Sequence, residues 1–243
     1  MPKQSGRYFC GAVRWWHPGA MTRALASWAL TALMLLIVLA ALEFVEHAGR
    51  LGWAGLNGEA AWSRFNSQIA AANIGIYAHM LTGAVITVLA PLQLIPVIRR
   101  RLPALHRWSG RVLVVLALVT GLGGLSYIAL QGTIGGAHMS VAFAIYGLLV
   151  LLCAVQTIRH ARARHWLDHR DWALRLFLLA IGSWLYRVHY AIWEPLTGRA
   201  GMDFSFTGWF DQVNLWAFYL PYLALLELAL MRQGRGLFGR ARA

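Results

Sequence analysis

Six apolar runs constrain this chain more than any other feature. They cover roughly Ala24–Phe44, Ala71–Ile98, Val112–Leu130, Met139–Ile158, Trp172–Trp193 and Val213–Met231, each about 19–28 residues long. A helix needs about 20 apolar residues to cross roughly 30 Å of hydrocarbon, and a longer run can tilt. Lipid offers the backbone no hydrogen-bond partner, so each run is predicted to be a helix. The expected fold is all-α: a polytopic membrane bundle of six transmembrane helices. Composition agrees, because 59% of the 243 residues are hydrophobic and 13% are charged. A soluble domain of this size cannot bury so much apolar surface. The reading divides the chain into a basic segment at 1–23, a transmembrane domain at 24–232 and a basic tail at 233–243. The first run is long and followed by acidic residues, so it is read as an anchor and not a cleaved signal.

The net charge of +13 would suit nucleic acid, but the placement of the charges argues against that partner. They lie in short segments between the runs, where basic residues act as topology signals and contacts for anionic lipid. Four basic residues precede the first run; five arginines lie in "RRRLPALHRWSGR", five in "RHARARHWLDHRDWALR" and four in "RQGRGLFGRAR". The three other connections hold only Arg50, Arg64 and Arg199. The positive-inside rule then predicts that both ends are cytoplasmic. Tryptophans near the run ends, such as Trp28, Trp62, Trp108 and Trp209, read as an interfacial belt. Cys10 and Cys153 fall at different levels and form no disulfide or metal-thiolate pattern.

Histidines fall in two layers. His79 lies 20 residues before Arg99, His138 lies 21 before Arg159, and His189 lies 18 after Asp171. At about 1.5 Å per residue these three share a depth toward the outer leaflet. His47 is near that level. His106, His160, His165 and His169 are on the cytoplasmic side, where His160, His165 and His169 read as a solvated basic loop. Gly75 and Gly83 sit one turn either side of His79, which would leave a slot for a flat macrocycle.

One reading is a b-type haem held between His79 and His138 for transmembrane electron transfer, with Arg187 on a propionate. Arg187 inside a run needs an anionic partner; Glu194, Glu43 or Glu46 would also serve. A second, inner haem could use His106 and His169. A redox partner or quinone would accompany that function. A second reading gives His79, His138 and His189 one zinc ion, with a nearby glutamate as general base of an intramembrane hydrolase. A third is a transporter or scaffold in which His79 only packs.

The segments "HMLTGAVITVLAPLQLIPVIRRRLPALHRWSGRV" (79–112) and "HRDWALRLFLLAIGSWLYR" (169–187) resemble a bacterial family of inner-membrane proteins designated a domain of unknown function, number 2306. The resembling portion runs from about residue 77 to 187. Its pattern joins a histidine (His79), a "PLQ" element (Pro91–Gln93), an "HRxxGR" element (His106–Arg111) and a later element from His169 to Arg175 with Arg187. The resemblance implies a multi-helix membrane protein similar in layout to transmembrane b-type cytochromes. His138 lies outside that pattern, which leaves His189 as the other partner for His79.

Overall fold

The computed structural model describes residues 20–237, and within them every regular element is helical. In chain order these are α1 (Ala20–Ala40), α2 (Leu42–Leu56), α3 (Ala70–Leu94), α4 (Pro96–Arg101), α5 (Pro103–Gln131), α6 (Gly136–Arg162), α7 (Trp166–Ala180), α8 (Gly182–Thr197), α9 (Trp209–Ala217) and α10 (Leu220–Met231). Cys10 and the basic residues before α1 lie outside the described residues. Among the described residues, five stretches are long and apolar enough to cross a membrane: Met21–Ala40, Ala70–Leu94, Pro103–Gln131, Gly136–Arg162 and Trp209–Met231.

The fifth expected run, Trp172–Trp193, is not one continuous helix. It breaks at Ile181 into α7 and α8, and charged Arg175 and Arg187 fall on either side of the break. A helix can break at membrane depth only if its freed carbonyls find partners. Here Tyr146 Oη donates to the Leu179 carbonyl, and Thr87 Oγ1 donates to the Ala180 carbonyl at 3.3 Å. Three other runs are also interrupted, the last of them at Phe218 and Tyr219 between α9 and α10. α3 continues through Pro91, but Ile95 turns extended (ψ 117°) ahead of Pro96, which opens α4. A residue before proline is pushed out of helical geometry. The first run ends at Ala40, and after Ala41 the separate helix α2 follows, with three buried residues, Ala48, Leu51 and Gly52, on one side.

α3 is the centre of one half of the bundle and packs along α2 and α5. The α3–α5 crossing is close because Gly75 and Gly123 face each other. A Cβ on Gly123 would stand 2.5 Å from the Gly75 carbonyl oxygen. α6 joins α5 to α7, and a core of Ile86, Ala117, Val150, Leu176, Leu179 and Phe218 lies between them. α1 has only 6% of its span buried in the protein, so its leucines face outward, as expected of a helix in lipid.

The end of α10 returns to the start of α7. Arg175 Nε donates to Glu227 Oε1 at 2.5 Å, and Arg235 pairs with the fully buried Asp171. Asp171 thus meets the segment after α10, while Asp168 faces His160 at 3.8 Å. At the other end, Trp216 and Gln212 of α9 reach His138 near the start of α6. The loop before α9 is organised by buried Asp211, which accepts from Tyr190 Oη, Asp203 N and Gly208 N. Asp203, half-buried in that loop, accepts from the Thr207 hydroxyl and amide and from Ser205. Those bonds, the Thr207 hydroxyl first, hold its carboxyl down to about 2.

Candidate functional site: an intramembrane cavity with one histidine and one arginine

α3, α5, α6 and α8 enclose a cavity of about 440 Å³, within the range that holds a small organic ligand. Aromatic rings line much of it, including Phe44, Phe143, Phe206 and Phe218. His79, Thr120, Tyr146, Tyr186 and Arg187 are polar residues on its wall.

His79 is placed by the α3–α5 contact. Its Nδ1 lies 2.8 Å from the Thr120 carbonyl oxygen. A carbonyl can only accept, so Nδ1 carries the proton and Nε2 of the neutral ring holds a lone pair. No hydrogen bond to Nε2 forms among the described residues. Thr82 Oγ1 bonds both the Ala78 carbonyl and Thr120 Oγ1, each at 2.7 Å, which ties the same turn of α3 to α5. The ring also needs the bare backbone of α5: a Cβ on Gly124 would stand 2.9 Å from Nδ1.

Arg187 enters the wall from α8. Its Nη1 donates to the Ser183 carbonyl at 2.8 Å, and its guanidinium carbon lies 4.6 Å from the centre of the Phe44 ring. It forms no ion pair among the described residues. Glu194 is engaged with Arg199 and Glu46 with Arg50, and Glu43 does not reach it.

The other outer histidines are occupied and do not line the cavity. His138 Nδ1 bonds Gln212 Oε1, and its Nε2 accepts from Trp216 Nε1 at 3.1 Å. His189 Nδ1 lies 2.7 Å from Asn214 Oδ1, and its Nε2 lies 2.9 Å from Tyr222 Oη. Among the described residues, His79, His138 and His189 form no group with ligand atoms gathered around one point. His47 is exposed on α2. The two flanking glycines differ. Gly83 lines the cavity, with Thr120 Cγ2 at 3.8 Å from an added Cβ, whereas the face at Gly75 is closed by Ser126 and Gly123.

At the opposite end of the bundle, His169 Nδ1 donates to the Thr157 carbonyl at 3.0 Å. His106 Nδ1 is buried without a hydrogen-bond partner, and the two rings lie within electrostatic reach of each other. The "PLQ" and "HRxxGR" elements meet here, because Gln93 Nε2 donates to Ser109 Oγ at 2.6 Å, which donates on to the Leu105 carbonyl.

Sequence reasoning did not single out Tyr146, Tyr186 or Thr120. Thr120, four residues before Gly124 on one helix face, carried a weak signal; the tyrosines carried none, because only the fold brings α6 and α8 to His79. No curated protein and no solved structure matches the chain. A family model does match over residues 76–230, from the turn of α3 before His79 to the end of α10, and on that extent the chain belongs to the family described as "Predicted membrane protein (DUF2306)".

Proposed function

We propose that this multi-pass membrane protein binds an amphipathic ring compound of the quinone class in the cavity, with its oxygen-bearing head between His79 and Arg187. The observation that carries the reading is a histidine fixed through Nδ1, with Nε2 uncommitted, sharing a cavity with an arginine that has no carboxylate partner. A quinol hydroxyl would donate to His79 Nε2. Arg187 would donate to an oxygen of the same head group. The aromatic wall and the room beside Gly83 suit a flat ring.

The topology that goes with this has six crossings, with α7 and α8 acting together as the fifth. Both ends are then on the basic, cytoplasmic side of a bacterial inner membrane, against anionic lipid. Support comes from the links at opposite ends: Asp171 in the first half of α7 meets Arg235 just after α10, while Gln212 in the first half of α9 meets His138 at the start of α6. Reporter fusions after residues 55 and 200 should both give outer-side signals.

A second reading keeps haem b. The Thr120 carbonyl behind His79 is the kind of partner that orients a metal-ligating imidazole, and Arg187 suits a propionate. His138 and His189 would each have to leave two side-chain partners to join it, so His79 would be the single protein ligand. A zinc ion on His79, His138 and His189 has no such support, because the three do not converge.

The test uses protein purified in mild detergent and titrated with a short-chain ubiquinone analogue by calorimetry. His79→Ala and Arg187→Ala should each weaken binding at least about tenfold, or about 1.4 kcal/mol. Equal binding by both variants and the parent would refute the proposal. A reduced-minus-oxidised spectrum of the same samples decides the haem reading. A Soret band lost only in His79→Ala supports one protein ligand, and a band lost in His138→Ala or His189→Ala restores the paired-histidine arrangement.

A further inference from the structure

The elbow between α6 and α7 brings together three groups that neither the cavity nor the bundle core uses. We propose that His160, His165 and Asp168 form a binding site for a borderline divalent cation of the zinc class. It lies on the basic, cytoplasmic face and is independent of the cavity reading.

The elbow is built by the way α6 ends. Arg164 adopts a left-handed backbone, φ 59°, one residue past the C-cap Ala163. The His165 amide then donates to the His160 carbonyl at 3.0 Å, and the Arg164 amide donates to the Ala161 carbonyl at 3.2 Å. This pair of bonds is a Schellman closure, in which the residue after the left-handed position folds back over the one three positions inside the helix end. Those two positions usually carry apolar side chains that touch. Here both are histidines, with ring centres 6.0 Å apart. His165 is also the residue that precedes α7, so the first turn of α7 carries Asp168 into the same space.

The geometry is that of a slightly open metal site. One ligand atom from each of the three residues can be chosen so that all lie within 4.8 Å of one another. His160 Nδ1 lies 3.8 Å from Asp168 Oδ2, too far for a hydrogen bond. Two ligands on a tetrahedral zinc at about 2.0–2.1 Å are about 3.3 Å apart, so a bound ion would draw the ligand atoms together by up to about 1.5 Å. His160 Nδ1 is buried and makes no hydrogen bond in the described residues. A buried polar atom of that kind needs an explanation, and a cation between the three groups supplies one. Two imidazoles and one carboxylate suit zinc, with the fourth position open to water. They do not suit calcium or magnesium, which take mainly oxygen. Arg159, Arg162, Arg164 and Arg170 stand near in sequence, and their repulsion should hold the affinity to the order of micromolar.

The test is metal titration of tag-free, chelator-stripped protein in detergent. Zinc is followed by calorimetry, and cobalt by the strong visible bands of tetrahedral sites. The expected result is one equivalent bound and cobalt bands present. His165→Gln is the main variant because His165 is exposed and its loss should leave the bundle folded, as read by gel filtration in detergent. His165→Gln and Asp168→Asn should each weaken binding at least tenfold, while His79→Ala should not change it. The proposal fails if zinc does not bind at about 100 μM, far above a micromolar Kd, or if it binds equally to His165→Gln and Asp168→Asn.

Discussion

Gly123→Ala tests whether the α3–α5 crossing positions the site. The added Cβ would stand 2.5 Å from the Gly75 carbonyl oxygen and 3.3 Å from the His79 amide nitrogen. Both are backbone atoms of α3, so no side chain can swing aside. A tolerable carbon–oxygen approach is about 3.3 Å, so the two helices must part by about 0.8 Å where the contact is directed along the crossing. Overpacking of this kind costs about 1–3 kcal/mol. For a protein of this length that corresponds to about 2–4 °C per kcal/mol. Gly83→Ala, two turns along α3 from Gly75, is the control. Its Cβ would meet Thr120 Cγ2 at 3.8 Å, an ordinary contact, and alanine is favoured over glycine in a helix by about 1 kcal/mol. Tryptophan fluorescence during thermal unfolding in detergent reads both. Gly123→Ala should lose several degrees and Gly83→Ala should match or exceed the parent. A Gly123→Ala protein as stable as the parent, or a Gly83→Ala protein equally damaged, would refute the reasoning.

Breaking the Arg175–Glu227 pair should be costly, because both side chains are largely buried, at 5% and 16% exposed. Arg175→Met or Glu227→Gln alone should lose about 3–5 kcal/mol by leaving the other charge in the bundle, and the double variant Arg175→Met/Glu227→Leu should recover much of that in the same unfolding assay. Asp203 sets a pH window in the loop before α9. Its folded carboxyl titrates at about 2 against an ordinary 3.8, so its support for the loop is complete above pH 3.8 and is lost as pH falls through about 2. Limited proteolysis between residues 198 and 208 should therefore be steady from neutral pH down to about 4 and rise below that; in Asp203→Ala it should be raised at every pH.

The helical class and five of the six apolar runs were legible because length and composition decide what crosses lipid. The breaks were not. Ile181 is an apolar residue in an apolar run, and what stops the helix there is a tyrosine from α6 and a threonine from α3. His79 was legible as a lone polar group beside small residues, and the structure places it on the cavity wall. Equal depth did not mean shared contact for His138 and His189. Residue counts give height along a helix but not which face points inward, and both rings turn to α9 and α10 instead. The loop "RHARARHWLDH" read as solvated charge because a Schellman closure with arginine at the left-handed position leaves no glycine to mark it.

The pairing of α7 with the chain's last residues bears on how the protein is made. Arg175 meets Glu227, and Asp171 meets Arg235, partners that leave the ribosome more than fifty residues later. When α7 first reaches the membrane, neither of these ion pairs can exist, and the unpaired Asp171 and Arg175 among its four charged residues oppose insertion. Settling of α7 and α8 should therefore wait for α10, so that the last third of the chain enters lipid as one unit. Ribosome-bound chains halted before residue 227 would hold α7 open to water-soluble labels, and completing the chain would close it.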